Sequence, residues 1–274
     1  VPGEYSLGAT LLKVENVSLA FGDKPILRDV NFEVKDIIRP GHVTGQVVGL
    51  LAPSGMGKTQ LFRILAGLNP PDAGRVLIGE KGRPVDRGMV GVVAQHYPLF
   101  AHRKVLSNLV VAAKRNGLSH QQAVAKSMGF LQRFRLEDAA GKYPAQLSGG
   151  QRQRVAIAQQ FLCSEHFLLM DEPFSGLDVV QLENVIELIG EMASLSEFNT
   201  IIIVTHDISA AIEVADTIWL LGRDRDKDGK VVPGARIQAS YNLIERGLAW
   251  KRDAVSTPEF LQLRKEIRER FPLL

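Results

Sequence analysis

The sequence carries a single cysteine in 274 residues, Cys163. One thiol makes no internal disulfide, which suits a reducing compartment. Cys163 reads as a small buried residue with no catalytic role. No apolar run approaches the roughly 18–20 residues of a membrane span. The opening VPGEYSLGATLL has neither the basic patch nor the apolar core of a secretion signal, and no initiator methionine. The chain therefore reads as soluble and intracellular, with any membrane role carried by a partner. An excess of one charge is also missing: 33 Lys and Arg against 30 Asp and Glu leave +3. That is too little to argue for a nucleic acid or an acidic membrane as ligand. Internal repeats and low-complexity linkers are absent.

What is present is ordinary globular text, 45% hydrophobic and 23% charged, long enough for one or two domains. Residues 10–50 read as short strands: LLKVENVSLAF, a turn at Gly22-Asp23-Lys24-Pro25, then ILRDVNFEV and GQVVGLL. Leu61, Ile64, Leu65 and Leu68 recur at helical spacing, with Gly67 as a stop. From Val105 to about Leu162 the pattern is helical. Ser119 and Gln122 fit a capping box there, and Val155, Ala158 and Leu162 share one face. HFLLM (166–170), TIIIV (200–204) and TIWLL (217–221) return to strand text. The first two are apolar throughout, as buried parallel strands are. The expected architecture is α/β, a mostly parallel sheet interrupted by a helical insertion. Beyond Gly222, a turn at RDRDKDGK leads to a strand or hairpin in VVPGARIQASY. Thr257-Pro258-Glu259 then opens a helix striped by Phe260, Leu263, Ile267 and Phe271.

Three stretches carry chemistry. In GLLAPSGMGKTQLF (49–62), a strand ends in a glycine-rich turn followed by Lys58, Thr59 and a helix. Backbone N–H groups of such a loop, at a helix N-terminus, surround a phosphate chain. Gly55 and Gly57 permit the close approach, Lys58 would reach the β- and γ-phosphates, and Thr59 would place its hydroxyl on Mg2+. A structural glycine turn is the competing reading. In LLMDEP (168–173), a buried strand delivers Asp171 and Glu172 to the sheet's carboxyl edge. Asp171 could hold Mg2+, and Glu172 could take a proton from an attacking water. Solvated acids capping a turn are the alternative. In LSGGQ (147–151), Ser148, Gly149 and Gly150 at a helix start form a second anion site. That makes sense if it serves a nucleotide held by another copy.

The three stretches, in this order and at these separations, resemble the ATP-binding-cassette (ABC) ATPases, whose signature is LSGGQ. The resemblance covers about residues 10–222, and smaller landmarks agree. Phe21 lies where the family stacks an aromatic on adenine. Gln95, in VVAQ, falls at the glutamine loop. SGLD (175–178) offers Asp178 at the dimer interface, and VTHD offers His206 as the switch histidine. Bacterial importer ATPases of the nitrate/sulfonate/taurine type are the nearest wording. The resemblance implies a P-loop NTPase (RecA-like) core with a mostly parallel sheet, an antiparallel β subdomain and a helical subdomain. It implies an ATPase domain over 1–222, its helical part at about 97–165, and an extension over 223–274 packed on the core. ATP and Mg2+ are the implied cofactors. Ser54, Gly55, Met56, Gly57, Lys58, Thr59, Gln60, Phe21, Ser148, Gly149, Gly150, Gln151 and Asp178 would contact nucleotide. Thr59, Gln95 and Asp171 would hold the metal, and Glu172, His206 and Gln95 would be catalytic. The implied partners are a second copy, transmembrane permease subunits and, indirectly, an extracytoplasmic solute-binding protein, with no nucleic acid. The implied place is the cytoplasmic face of the inner membrane, as a peripheral subunit.

Two departures stand out. Ala52 occupies the loop's first glycine position, which costs roughly 1–2 kcal/mol if that backbone is left-handed and little otherwise. Gln159-Gln160 stands where the family often writes Arg-Ala. DRDKDG (224–229) begins like a calcium loop, but its twelfth position is Ala235, so an Asp-Gly turn is expected. His96 and His102 read as ordinary surface residues. An ABC exporter or lipid-transport ATPase is the alternative among transporters. A soluble cassette protein of DNA or ribosomes is a different class. Against it stand the short helical region, without sustained heptads, and the single cassette.

Overall fold

A computed structural model describes residues 5–40, 45–93, 98–163, 167–193, 200–251 and 254–274. Two long strands, β1 (Ser6–Phe21) and β2 (Lys24–Ile38), open it as an antiparallel hairpin around the expected Gly22 turn. β3 (Gln46–Leu51) and α1 (Lys58–Leu65) follow, then β4 (Ala73–Ile78), β5 (Arg83–Pro84) and β6 (Gly91–Val93). Three helices come next: α2 (Val105–Lys114), α3 (His120–Arg133) and α4 (Gly149–Cys163). The remainder alternates: β7 (Phe167–Asp171), α5 (Val179–Ala193), β8 (Thr200–Thr205), α6 (Ile208–Val214), β9 (Thr217–Arg225), β10 (Val231–Asn242) and α7 (Pro258–Arg270).

One ten-stranded sheet orders these strands β5-β4-β1-β2-β10-β9-β3-β8-β7-β6. From β9 to β6 every pairing is parallel. From β1 to β5 every pairing is antiparallel. The hairpin β9–β10 stands between the two regions and meets β2 through a single parallel pair, Ala235 with Leu27. The expected mixture of a parallel core and an antiparallel part is what forms.

The central strands are apolar throughout because both their faces are covered. Val47, Leu51, Ile201 and Ile203 point into one core, and Val48, Leu50, Ile202 and Val204 into the other. Leu61, Phe62, Ile64 and Leu65 of α1 close the second core. α2, α3 and α4 close the first, together with Phe260, Leu263 and Ile267 of α7, which are fully buried. Ser119 and Gln122 form the expected capping box, and Thr257 caps α7 ahead of Pro258. Among the described residues no helix is long and apolar enough to cross a membrane.

β1 and β2 run beyond the expected strands because the hairpin ladder continues past Val34, with Ile37 still buried. In the turn after β9, Asp226 Oδ1 accepts N–H groups from Asp228 and Lys230, each at 2.9 Å. At the far end of the sheet Asp216, 4% exposed, holds several elements together. Its Oδ2 accepts the Val47 N–H at 2.7 Å and its own N–H donates to the Val47 carbonyl at 2.8 Å. Trp250 also donates to it, and Arg39 lies 3.7 Å from the centre of the Trp250 ring. Burial pushes the Asp216 carboxyl up to about 7, against the pull of these donors.

Candidate functional site

The parallel strands β3, β7 and β8 end side by side, so the segments that follow them meet at one edge, where ligands of open α/β sheets bind. After β3 the chain turns through residues 52–57 into α1. Gly55 and Gly57 take φ of 82° and 84°, left-handed values that a side chain would strain. A Cβ on Gly57 would also stand 2.9 Å from Ile26 Cγ2. Ala52 is a different case. The described non-glycine residues at positive φ are Asn16, Asp29, Arg135, Glu172 and Trp250, and Ala52 is not among them. Alanine is therefore accommodated at the loop's first position without left-handed strain, in full burial.

Lys58 curls back over this loop. Its Nζ donates to the carbonyl of Ala52 at 2.7 Å and to that of Pro53 at 3.4 Å, and lies 3.5 Å from Glu172 Oε1. Glu172, just past β7, adopts φ 47°, a left-handed backbone costing about 1–2 kcal/mol for a non-glycine residue. Its N–H donates to the Val204 carbonyl at 2.8 Å, which ties the turn to β8. The Thr205 hydroxyl donates to Glu172 Oε2 at 2.9 Å, and His206 Nδ1 lies 2.9 Å from both carboxylate oxygens. Burial raises the Glu172 carboxyl, but the His206 and Thr205 hydrogen bonds outweigh it and hold the group below its ordinary range. Glu172 is thus ionised at neutral pH, and the carboxylate requires His206 to carry its proton on Nδ1.

Asp171 is the counterpart. Burial first, and the neighbouring Glu172 carboxylate second, push its carboxyl up. No hydrogen bond or ion pair from a described side chain reaches it. A carboxyl destabilised in this way, and unpartnered among the described residues, fits a divalent cation beside an anion on the loop. Thr59 is exposed at the start of α1 and can offer its hydroxyl.

The other expected residues are spread more widely. Phe21 is 57% exposed at the tip of the β1–β2 hairpin. Ser148 caps α4 reciprocally with Gln151, accepting its N–H at 3.2 Å and donating its own N–H to Gln151 Oε1 at 3.1 Å. Asp178 caps α5 by accepting the Gln181 N–H at 2.8 Å. Ser54 and Gly149–Gly150 are exposed, while Met56 and Gln60 are half-buried. Gln95 and His96 lie outside the described residues. Gln160 accepts the Val92 N–H at 3.1 Å and so attaches α4 to β6, a structural use of one departure from the family wording. Cys163 is partly buried, and burial pushes its thiol up, away from the reactive form. Thr205 was not among the expected residues, although it lies within the VTHD stretch. Its hydroxyl is as close to Glu172 as His206 is.

A family model described as ABC transporter matches residues 38–175, half of the chain. The chain belongs to the ABC transporter family. The sulfate/thiosulfate import ATP-binding protein CysA of Mesostigma viride is 35% identical over 215 residues, 77% of this chain. The match spans 59% of that protein's own length. Among solved structures, cbiO1 from Clostridium perfringens, part of the ABC transporter complex cbiONQ, aligns with a TM-score of 0.72 at 25% identity. That alignment covers 96% of each chain. A dimeric ATP-binding cassette in a post-hydrolysis state, bound to ADP and Pi, aligns with a TM-score of 0.65 at 27% identity. It covers 85% of this chain and 99% of the other. These neighbours agree with the P-loop NTPase fold of the ABC cassette, whose mixed sheet and flanking helices are those described above.

Proposed function

We propose that this ABC cassette is the ATP-hydrolysing subunit of a membrane importer. The observation that carries the reading is the convergence of Lys58, Glu172, Thr205 and His206 beside the glycine loop, with Asp171 unpartnered among them. Lys58 and the loop N–H groups would hold the phosphates. Thr59, Asp171 and Gln95 would hold Mg2+, which when bound supplies positive charge to the phosphate oxygens. Glu172, ionised and steadied by Thr205 and His206, would polarise the attacking water, and His206 would hold the terminal phosphate in the same copy. Phe21 would stack on adenine, a contact worth about 1 kcal/mol. Ser148, Gly149, Gly150 and Gln151 would meet the nucleotide of a second copy, and Asp178 would cross the interface. The dimeric cassette bound to ADP and Pi supports that arrangement.

Residues 1–222 would form the ATPase domain, its helical part at about 97–165 facing the permease, and residues 223–274 an extension. Such a subunit would sit peripherally on the cytoplasmic face of the membrane, with a solute-binding protein beyond it. The import ATP-binding name of the Mesostigma viride relative supports the direction. Sulfate, thiosulfate and the nitrate and sulfonate classes all bear oxyanion groups, so we place the cargo among small oxyanions.

Two measurements test the proposal. Lys58→Ala should weaken ATP binding about 10–100-fold, the loss of one charge-assisted contact, as read by nucleotide titration. An unchanged affinity would remove the loop from the site. A tagged pull-down from gently solubilised native membranes should recover a polytopic membrane protein. Recovery with ribosomes or DNA in the soluble fraction would overturn the transporter reading.

A further inference from the structure

The register of β9 on β3 sets Leu220 beside Leu51, so Gly222 and Arg223 continue alongside the glycine loop. Arg223 turns onto it, and its Nη2 donates to the Gly55 carbonyl at 3.1 Å. Its Nε is buried with no acceptor. The adjacent acid is already engaged: Asp224 pairs with Arg28 and with Arg236 Nε at 2.9 Å, and accepts from Gln238 Nε2 at 3.0 Å. Arg223 makes no ion pair with a described residue, so its charge is uncompensated at the loop. A buried guanidinium N–H without an acceptor is costly, and negative charge in the loop beside Nη2 would offset the charge the group carries. Lys58 likewise donates to loop carbonyls, those of Ala52 and Pro53, although it also lies 3.5 Å from Glu172 Oε1.

The backbone beneath Arg223 is held by the C-terminal segment. Its N–H donates to the Leu274 carbonyl at 3.4 Å. Gly222 lies so close that an added Cβ would stand 2.7 Å from Leu274 Cβ.

Resting on the nucleotide reading above, we propose that Arg223 is a second cation of the phosphate loop. It steadies Gly55 and adds positive charge toward the bound phosphates, and the Phe271–Leu274 segment sets its position. Arg223 is a positioning residue for nucleotide affinity, and it does not enter the hydrolytic step. ATP and ADP both depend on it, because both place phosphates in the loop.

The test is steady-state hydrolysis together with titration of ATP and ADP, on the full chain. Arg223→Met keeps the aliphatic bulk and should raise the KM for ATP and the Kd for ADP about tenfold, with kcat within about twofold. Arg223→Lys keeps the charge and should recover most of the loss. Gly222→Ala, which displaces Leu274, should raise both constants in the same direction by a smaller factor. Unchanged affinities in Arg223→Met, a fall in kcat at constant KM, or a lysine variant as weak as the methionine one would each overturn the proposal. Unchanged constants in Gly222→Ala would overturn the part played by the C-terminal segment. A parent protein that binds neither nucleotide would overturn the nucleotide reading itself.

Discussion

Replacing Glu172 by Gln is expected to lower ATP hydrolysis about 10²–10⁴-fold while leaving nucleotide binding intact. Lys58, Thr205 and His206 all face this carboxylate. Gln keeps the size and tolerates the same left-handed backbone as poorly as Glu does, so the fold is not relieved or burdened further. What disappears is the negative charge and one of the two oxygens that face His206 Nδ1. Lys58 also loses its competitor for the phosphates, so affinity should hold or rise. Single-turnover hydrolysis with labelled ATP, beside a binding titration, reads both quantities. Near-normal turnover would exclude Glu172 as the proton acceptor. A joint loss of binding and turnover would mean that the substitution had disturbed the loop.

The second large effect is on stability. Folded Asp216 binds its proton up to about pH 7, whereas an unfolded aspartate releases it near pH 4. A raised folded value stabilises fully below the unfolded one, and that contribution is lost as pH climbs through the folded one. The parent should therefore lose roughly 4 kcal/mol between about pH 4 and 7, at 1.36 kcal/mol per unit. Its melting temperature should fall by on the order of 10 °C over that window. Asp216→Asn still accepts the Val47 N–H and has no proton to lose, so its melting temperature should fall much less over that window. The slope decides the matter and the absolute level does not, because the amide brings a donor of its own. Parallel slopes in the two proteins would assign the titration to another group.

The site was more legible in the sequence than the fold around it. Lys58, Thr59, Asp171, Glu172 and His206 follow buried strands whose apolar runs are plain to read, and register alone brings those strand ends together. α5 went unanticipated, although Val185, Leu188, Ile189 and Met192 repeat at helical spacing. It opens with Val179 and Val180, β-branched and largely exposed, a poor advertisement for a helix start. β5 and β6 are two and three residues long, too short to show any period. Other features depend on tertiary contact. The left-handed turn at Glu172 is imposed by its hydrogen bond to Val204. The mild conformation of Ala52 is a property of the folded loop. Arg223 sits in a charged stretch that reads as a turn, and only the β9–β3 register reveals what it touches.

A single ladder pair joins β10 to β2, yet the antiparallel and parallel parts share one buried core, in which Leu12, Val14 and Leu27 lie with Val48, Leu50 and Leu61. Phe21 closes the antiparallel hairpin, and Lys58 opens the helix that packs on the same core. Besides Ala235 and Leu27, the seam is crossed by the Arg28–Asp224 ion pair, by the Phe32 and Trp219 rings with centroids 4.3 Å apart, and by Gln46 Nε2 donating to the Lys35 carbonyl at 2.7 Å. A ligand gripped at both Phe21 and the loop would therefore meet two walls raised from one packed foundation.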